Sequence, residues 1–186
     1  SDIEALLADH NQHLAFEPPD FRSLYGTEHS AQTLGGVVAC NLSGSRRIQA
    51  GAARDHLLGF EAVSGRGELF KSGGRVVKNV TGFDLSKLMA GSFGTLAVMT
   101  SLSVKVMPVP EKTRTLLILG LDEAKAVRAM TKALQSPHEV NAAAYFAAKQ
   151  GCRSSVSYVS DAGQAITALR IQGPGPSVSA RLEELY

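Results

Sequence analysis

The chain has no tryptophan and only two cysteines, Cys40 and Cys152, far apart and without a CxxC pair. That pattern gives no redox dithiol and no thiolate metal site. Aromatic residues make up 6% of the chain, too few for a platform on which nucleic-acid bases would stack. Charge of one sign is also missing, since 19 Lys and Arg face 17 Asp and Glu, a net charge of +2. The basic residues are scattered, so there is no electrostatic case for nucleic acid or for an anionic membrane surface. No apolar run approaches the roughly 18 residues that span a bilayer. No signal peptide is visible either, because Ser1 opens directly into an acidic, helix-like segment. A cytoplasmic protein with reduced thiols is expected. The first residue is not Met, which points to a processed chain or a piece of a longer one.

Several chemistries are missing as well. There is no GxxxxGK[ST] phosphate loop, and Gly65-Arg66-Gly67 lacks the third glycine of a dinucleotide fingerprint. Leu42-Ser43-Gly44 is not G-x-S-x-G, because position 41 is Asn. Cys40 sits in an apolar setting with no charged neighbour in sequence, which reads as a buried, inert thiol. His10, His13 and His29 have no Cys or carboxylate cluster beside them, so surface histidines are a better reading than a metal site. No carboxylate pair is placed for acid–base work. The catalytic residues stay unknown, and no metal is expected.

What is abundant is glycine, 18 in all, in a chain that is otherwise 44% hydrophobic and globular in composition. Thr33 to Ser45, TLGGVVACNLSGS, is the densest case. Its side chains are too small for a packed core and too uncharged for a solvated loop. Glycine lets backbone come within hydrogen-bonding distance of a ligand, and exposed N–H groups in such turns make anion-binding concavities. Gly91-Ser92-Phe93-Gly94-Thr95 has the same texture. From spacing alone, a ligand loop and a device for tight packing remain equally open.

The rest of the chain divides in two. Ile3 to Ala8 reads as a helix and His13 to Phe16 as a short strand. LLGFEAV and ELF flank a hairpin turn at Ser64 to Gly67. Asp84 caps a short helix to Met89. Gly94 to Met107 reads as a long strand, with Val98, Leu102, Val104 and Val106 on its buried face. Pro108 to Lys112 marks a domain boundary, giving domains 1–110 and 111–186. In the second, 113–121 is a strand, and Asp122 caps a helix to about Gln135. Ala126, Val127, Met130, Ala133 and Leu134 form that helix's apolar stripe. Segments 140–147, 154–160 and 165–173 read as strands, and a helix follows Pro176. The order β-α-β-β-β-α implies an α+β sandwich of partly ferredoxin-like type.

Taken together, the quoted segments carry a resemblance. TLGG, the small residues to Asn41 and Gly44, and ARDHLLG are followed by the turn glycine, then KNVTGFDLSKL and GSFGTLAV. The set resembles the vanillyl-alcohol-oxidase-type (PCMH-type) FAD-binding family, and within it the FAD-binding subunits of bacterial glycolate oxidases. The resemblance is strong over residues 1 to about 120 and moderate beyond. It implies an α+β fold. Residues 1–110 would be the second FAD subdomain, a mostly antiparallel sheet with flanking helices. Residues 111–186 would be part of a cap domain on the substrate side.

It further implies FAD as cofactor, with Gly35, Gly36, Ala39, Asn41, Ser43 and Gly44 beside the flavin. Gly94, Thr95 and Val98 would lie at the pyrophosphate and adenine end. Arg54 and Asp55 are expected to form a salt-bridged corner, and Lys78 and Asp84 to be structural. The chemistry implied is oxidation of a small 2-hydroxy acid, glycolate to glyoxylate, with hydride passing to flavin N5; the alternatives are a non-catalytic assembly subunit with a flavin-type fold and a related FAD-dependent alcohol or sugar oxidase. The implied partners are a larger flavin subunit and an iron–sulfur subunit, which would bring the complex to the inner face of the membrane. No nucleic-acid partner is implied. In the family a first FAD subdomain with a pyrophosphate loop precedes these residues. The expectation is therefore a chain cut short at its front. Three absent charge-assisted hydrogen bonds would remove roughly 4–9 kcal/mol, or three to six decades of affinity.

Overall fold

A computed structural model describes residues 2–26, 32–76 and 82–186, so His29 and Lys78 lie outside the described residues. The chain forms two compact units, Ser1–Val109 and Pro110–Tyr186.

The first unit opens with helix α1 (Asp2–Ala8), strand β1 (Gln12–His13) and the short helices α2 (Arg22–Tyr25), α3 (Leu34–Ala39), α4 (Arg47–Ala50) and α5 (Ala53–His56). Strands β2 (Leu57–Ser64) and β3 (Leu69–Gly73) follow, then helix α6 (Leu85–Met89) and strands β4 (Ala97–Val104) and β5 (Met107–Pro108). β2, β3 and β4 make an antiparallel sheet in the order β3-β2-β4. The expected hairpin is present: Ser64 N donates to the Glu68 carbonyl, and Gly67 turns the chain at φ 78°. Phe60, Ala62, Met89 and Ala97 form the core under α6. Phe70 meets Phe60 edge-on, at 5.6 Å between centroids. A neighbouring core gathers Phe16, Val37 and Ala53, and another Val38, Leu57 and Ala90. His56 is buried beside Phe16, with Nε2 2.9 Å from the Ala50 carbonyl oxygen.

β4 departs from the simple alternation in its sequence. Glu61 pairs with Ser101 and Ala62 with Met99, which leaves Thr100 as an extra residue in a bulge. One inserted residue reverses which side chains face inward. Ala97 and Met99 therefore share the core face with Leu102 and Val104. Val98, expected inside, is 67% exposed on the outer face.

The second unit contains strand β6 (Lys112–Leu119), helix α7 (Glu123–Leu134), strand β7 (Ala142–Phe146), short helices α8 (Ala148–Gly151) and α9 (Ser157–Ser160), strand β8 (Ile166–Gly173) and helix α10 (Gly175–Leu185). The sheet is antiparallel in the order β6-β8-β7, with unbroken register from Lys112↔Gly173 to Leu119↔Ile166. Ala133 of α7, Val178 of α10, and Leu169 and Ile171 of β8 form its core, together with Val140. Asp122 caps α7 by accepting from Lys125 N at 2.8 Å. In the expected stripe, Ala126 and Ala133 are buried, whereas Val127 and Leu134 are exposed. The strand expected over 154–160 is instead α9. Ser154 Oγ accepts from Val156 N, and Ser160 N donates to the Val156 carbonyl. Local serine hydrogen bonds compete with a ladder, so this sheet has three strands.

Candidate functional site

The stretch from Thr33 begins as a helix rather than a loop. Thr33 is extended, and its Oγ1 accepts from Gly36 N at 3.1 Å, which caps α3. A Cβ on Gly36 would stand 3.2 Å from that oxygen, so glycine keeps the cap uncrowded. Val37 and Val38 are buried. After Cys40 the chain reverses through Asn41, at φ 52°, and Leu42 N returns to the Val37 carbonyl. Cys40 is half-buried, with no nucleophile-activating partner among the described residues.

The reversed segment is held from behind. Asn41 Oδ1 accepts from Arg54 N at 2.9 Å. Ser43 Oγ accepts from Ala53 N at 2.9 Å and donates to the Asn41 carbonyl at 3.3 Å. Gly44 N donates to the Phe16 carbonyl at 2.8 Å. A Cβ on Gly44 would collide with the Glu17 carbonyl oxygen, so this glycine is required for close approach. Arg54 and Asp55 do form a corner, but not by a salt bridge. Ala52 N donates to Asp55 Oδ2 at 2.8 Å, and Lys87 Nζ donates to the Arg54 carbonyl at 2.6 Å. Asp84 caps α6 through Lys87 N at 3.4 Å.

The second glycine segment joins the first. Gly91 N donates to the Val38 carbonyl at 3.1 Å, and Phe93 N to the Ala39 carbonyl at 2.8 Å. Gly91, Phe93 and Gly94 all have positive φ, at 84°, 55° and 73°. Thr95 Oγ1 closes the turn on the Ser92 carbonyl at 2.6 Å. Ser92 Oγ is shielded from solvent and has no partner among the described residues. The structure thus brings Gly35, Gly36, Ala39, Asn41, Ser43 and Gly44 together with Gly94 and Thr95. Val98 is apart from this junction, on the outer face of the sheet opposite Val63.

The roles of these residues differ. A Cβ on Gly35 or on Gly94 would meet no atom of the described residues within 4 Å, so both face space that those residues leave open. Asn41 Oδ1, the Ser43 hydroxyl and Gly44 are engaged inside the protein. Phe93 was not singled out by sequence. Its left-handed backbone and 72% exposure place an apolar ring at the junction's edge. The only sequence signal for it was its place between two glycines. Among the described residues, α3 and the 91–95 turn carry no imidazole or carboxylate that could move a proton. His13 lies elsewhere, where Nε2 accepts from Arg46 Nη1 at 2.9 Å. Burial, then the Arg46 guanidinium, push its imidazole below the ordinary value. Among the described residues no cluster of three metal-binding side chains occurs, and no helix is long and apolar enough to cross a membrane.

No family model matches the chain. Over 114 residues the chain is 46% identical to the glycolate oxidase subunit GlcE of Escherichia coli, covering 61% of this chain and 31% of that one. Over 104 residues it is 39% identical to the glycolate oxidase subunit GlcD of Bacillus subtilis, covering 56% of this chain and 21% of that one. Its fold matches a solved alkyldihydroxyacetonephosphate synthase with a TM-score of 0.74 at 20% identity, over 99% of this chain and 35% of that one. The chain therefore spans about a third or less of the length of each of these proteins. In sequence the chain is similar to subunits of glycolate oxidases, and in fold it is similar to an alkyldihydroxyacetonephosphate synthase.

Proposed function

We propose that this chain is part of the FAD-binding subunit of a 2-hydroxy-acid dehydrogenase complex, with glycolate, oxidised to glyoxylate, as the leading substrate. The observation that carries the reading is the junction of the two glycine segments through the Val38 and Ala39 carbonyls. The 46% identity to a glycolate oxidase subunit supports it. The residues fit one side of an FAD. Gly35 and Gly94 leave open space where a side chain would otherwise stand. Gly36, Ala39 and Thr95 border the same ledge. Asn41, Ser43 and Gly44 belong to its frame, and Val98 stands apart from it on the outer face of the sheet.

Bound there, FAD would supply the two-electron acceptor for the substrate's hydroxyl-bearing carbon. The chain's own part is to orient the cofactor and exclude water from one face of it. The reading gives removal of the substrate proton to a larger flavin subunit and passes the electrons onward to an iron–sulfur subunit. The complex works in the cytoplasm, at the inner face of the membrane through those partners. That α3 and the 91–95 turn carry no acid–base group among the described residues favours a second reading, an assembly subunit that keeps the fold without using a flavin.

Glycolate-dependent dye reduction by the complex, with and without this subunit, tests the reading. Activity unchanged on omission sinks it, and loss of activity with no flavin in the subunit favours the assembly reading. Purified alone, the 186-residue chain is expected to be colourless, and a near-stoichiometric flavin band would overturn that.

A further inference from the structure

We propose that Asn41 and Ser43 are positioning residues that act through helix α5, not through the cofactor, and so set the backbone of the ledge formed by α3 and the 91–95 turn. The inference rests on the flavin reading above only for what the ledge holds.

A helix leaves its first N–H groups without intrahelical partners. At α5 those donors are met by side chains. Ala52 N finds Asp55 Oδ2, Ala53 N finds Ser43 Oγ, and Arg54 N finds Asn41 Oδ1. Two of the three acceptors thus come from the segment ahead of α5, so the glycine stretch caps a helix that it is not part of. The Ser43 hydroxyl proton is engaged as well, since it donates to the Asn41 carbonyl. Asn41 has given its acceptor to Arg54.

Asn41 also stands at φ 52°, a region that Asn tolerates better than most residues because its short side chain bonds locally. Its own N–H returns to the Val38 carbonyl, which also receives Gly91 N. The next carbonyl, of Ala39, receives Phe93 N. A shift of Asn41 is therefore a shift of both acceptors that hold the second glycine segment. Arg54 is fixed from its other side by Lys87 Nζ of α6. The chain of contacts runs from α6 through Arg54 to Asn41, and from there to the ledge.

The test compares Asn41→Ala with Asn41→Asp in the full natural chain, within its complex. Asp keeps an oxygen acceptor for Arg54 N and removes the amide donor. Flavin titration, the fine structure of the bound flavin's absorbance, thermal midpoints of the flavin-free protein and hydrogen exchange at 38–40 and 91–95 are read together. Asn41→Ala is expected to weaken flavin binding about tenfold and to lower protection at both segments. Asn41→Asp is expected to restore protection and to bind within about threefold of the natural protein. If Asp weakens binding as much as Ala while protection stays intact, the amide touches the cofactor and the proposal is overturned. A lower midpoint for Ala with unchanged flavin affinity and spectrum also overturns it, since Asn41 would then only stabilise the fold. If the natural protein binds no flavin, the flavin reading fails on its own. In that case exchange still decides, with protection lost in Ala and restored in Asp supporting the proposal, and no change in Ala overturning it.

Discussion

Gly44 abuts the Glu17 carbonyl, whereas Gly35 faces open space, and the two respond oppositely to the same methyl group. Gly44→Ala is expected to destabilise the first unit by about 1–3 kcal/mol, because backbone cannot yield as a flexible side chain would. Gly35→Ala is expected to be neutral or to stabilise by up to about 1 kcal/mol, as a glycine replaced within a helix. If Gly35 lines the cofactor, the same change weakens flavin binding. Urea denaturation and flavin titration of both variants check the pair, and equal stability losses would refute the distinction. That distinction was not legible in the sequence. Gly35, Gly36, Asn41, Ser43 and Gly44 stand in one motif, and only the carbonyl behind Gly44 and the N–H groups behind Asn41 and Ser43 separate packing from display. His13 adds a pH dependence at the same scale. Its folded value lies below 6.5, so the unfolded chain binds a proton first as pH falls. Stability is therefore expected to fall as pH drops below 6.5 toward the folded value. His13→Gln is expected to remove that slope in midpoints compared at pH 7.5 and 5.5, and a slope that persists would assign it to other groups.

Elements were legible where a local signal and a period agreed. α7 has both, a capping Asp122 and apolar residues at helical spacing, and it forms as read. β4 had the period but concealed its break. Thr100 looks like any other strand residue, yet as the bulge it moves Val98 outward and brings Ala97 and Met99 in. α9 had β-branched residues but also serines that bond their own backbone, and the serines won. α3 was hidden by its glycines, which suggested a loop until Thr33 was seen to cap it. The α7 cap yields a prediction. The Asp122 carboxyl is held below its ordinary value, first by the Lys125 backbone N–H and then by the Lys125 side chain. A depressed carboxylate contributes stability above its unfolded value, and that contribution is lost only as pH falls through the folded one. Asp122→Ala is expected to lower exchange protection in the first turn of α7 by roughly fivefold at neutral pH. Asp122→Asn should restore most of it, since an amide oxygen caps as well. Equal losses for both would show that charge beside Lys125, not the cap, is what matters.

For the molecule as a whole, the placement of the glycine junction matters more than any one contact. α3, α5, α6 and the 91–95 turn all lie in Ser1–Val109, and each unit has its own core. A ledge built on one core should not depend on the other. Leu169 is 2% exposed and packs with Ile171, Val178 and Ala133 in the second unit. Leu169→Ala removes buried methyl groups where β8 and the helices constrain relaxation, so it is expected to cost that unit about 2–5 kcal/mol. Hydrogen exchange resolved by residue should show the loss in β6, β7 and β8, while β2, β4 and the 38–40 segment keep their protection. If protection falls equally in both units, they unfold as one cooperative body, and the ledge owes its order to the second core as well. If it falls only in the second, the ledge keeps its order independently of the second core.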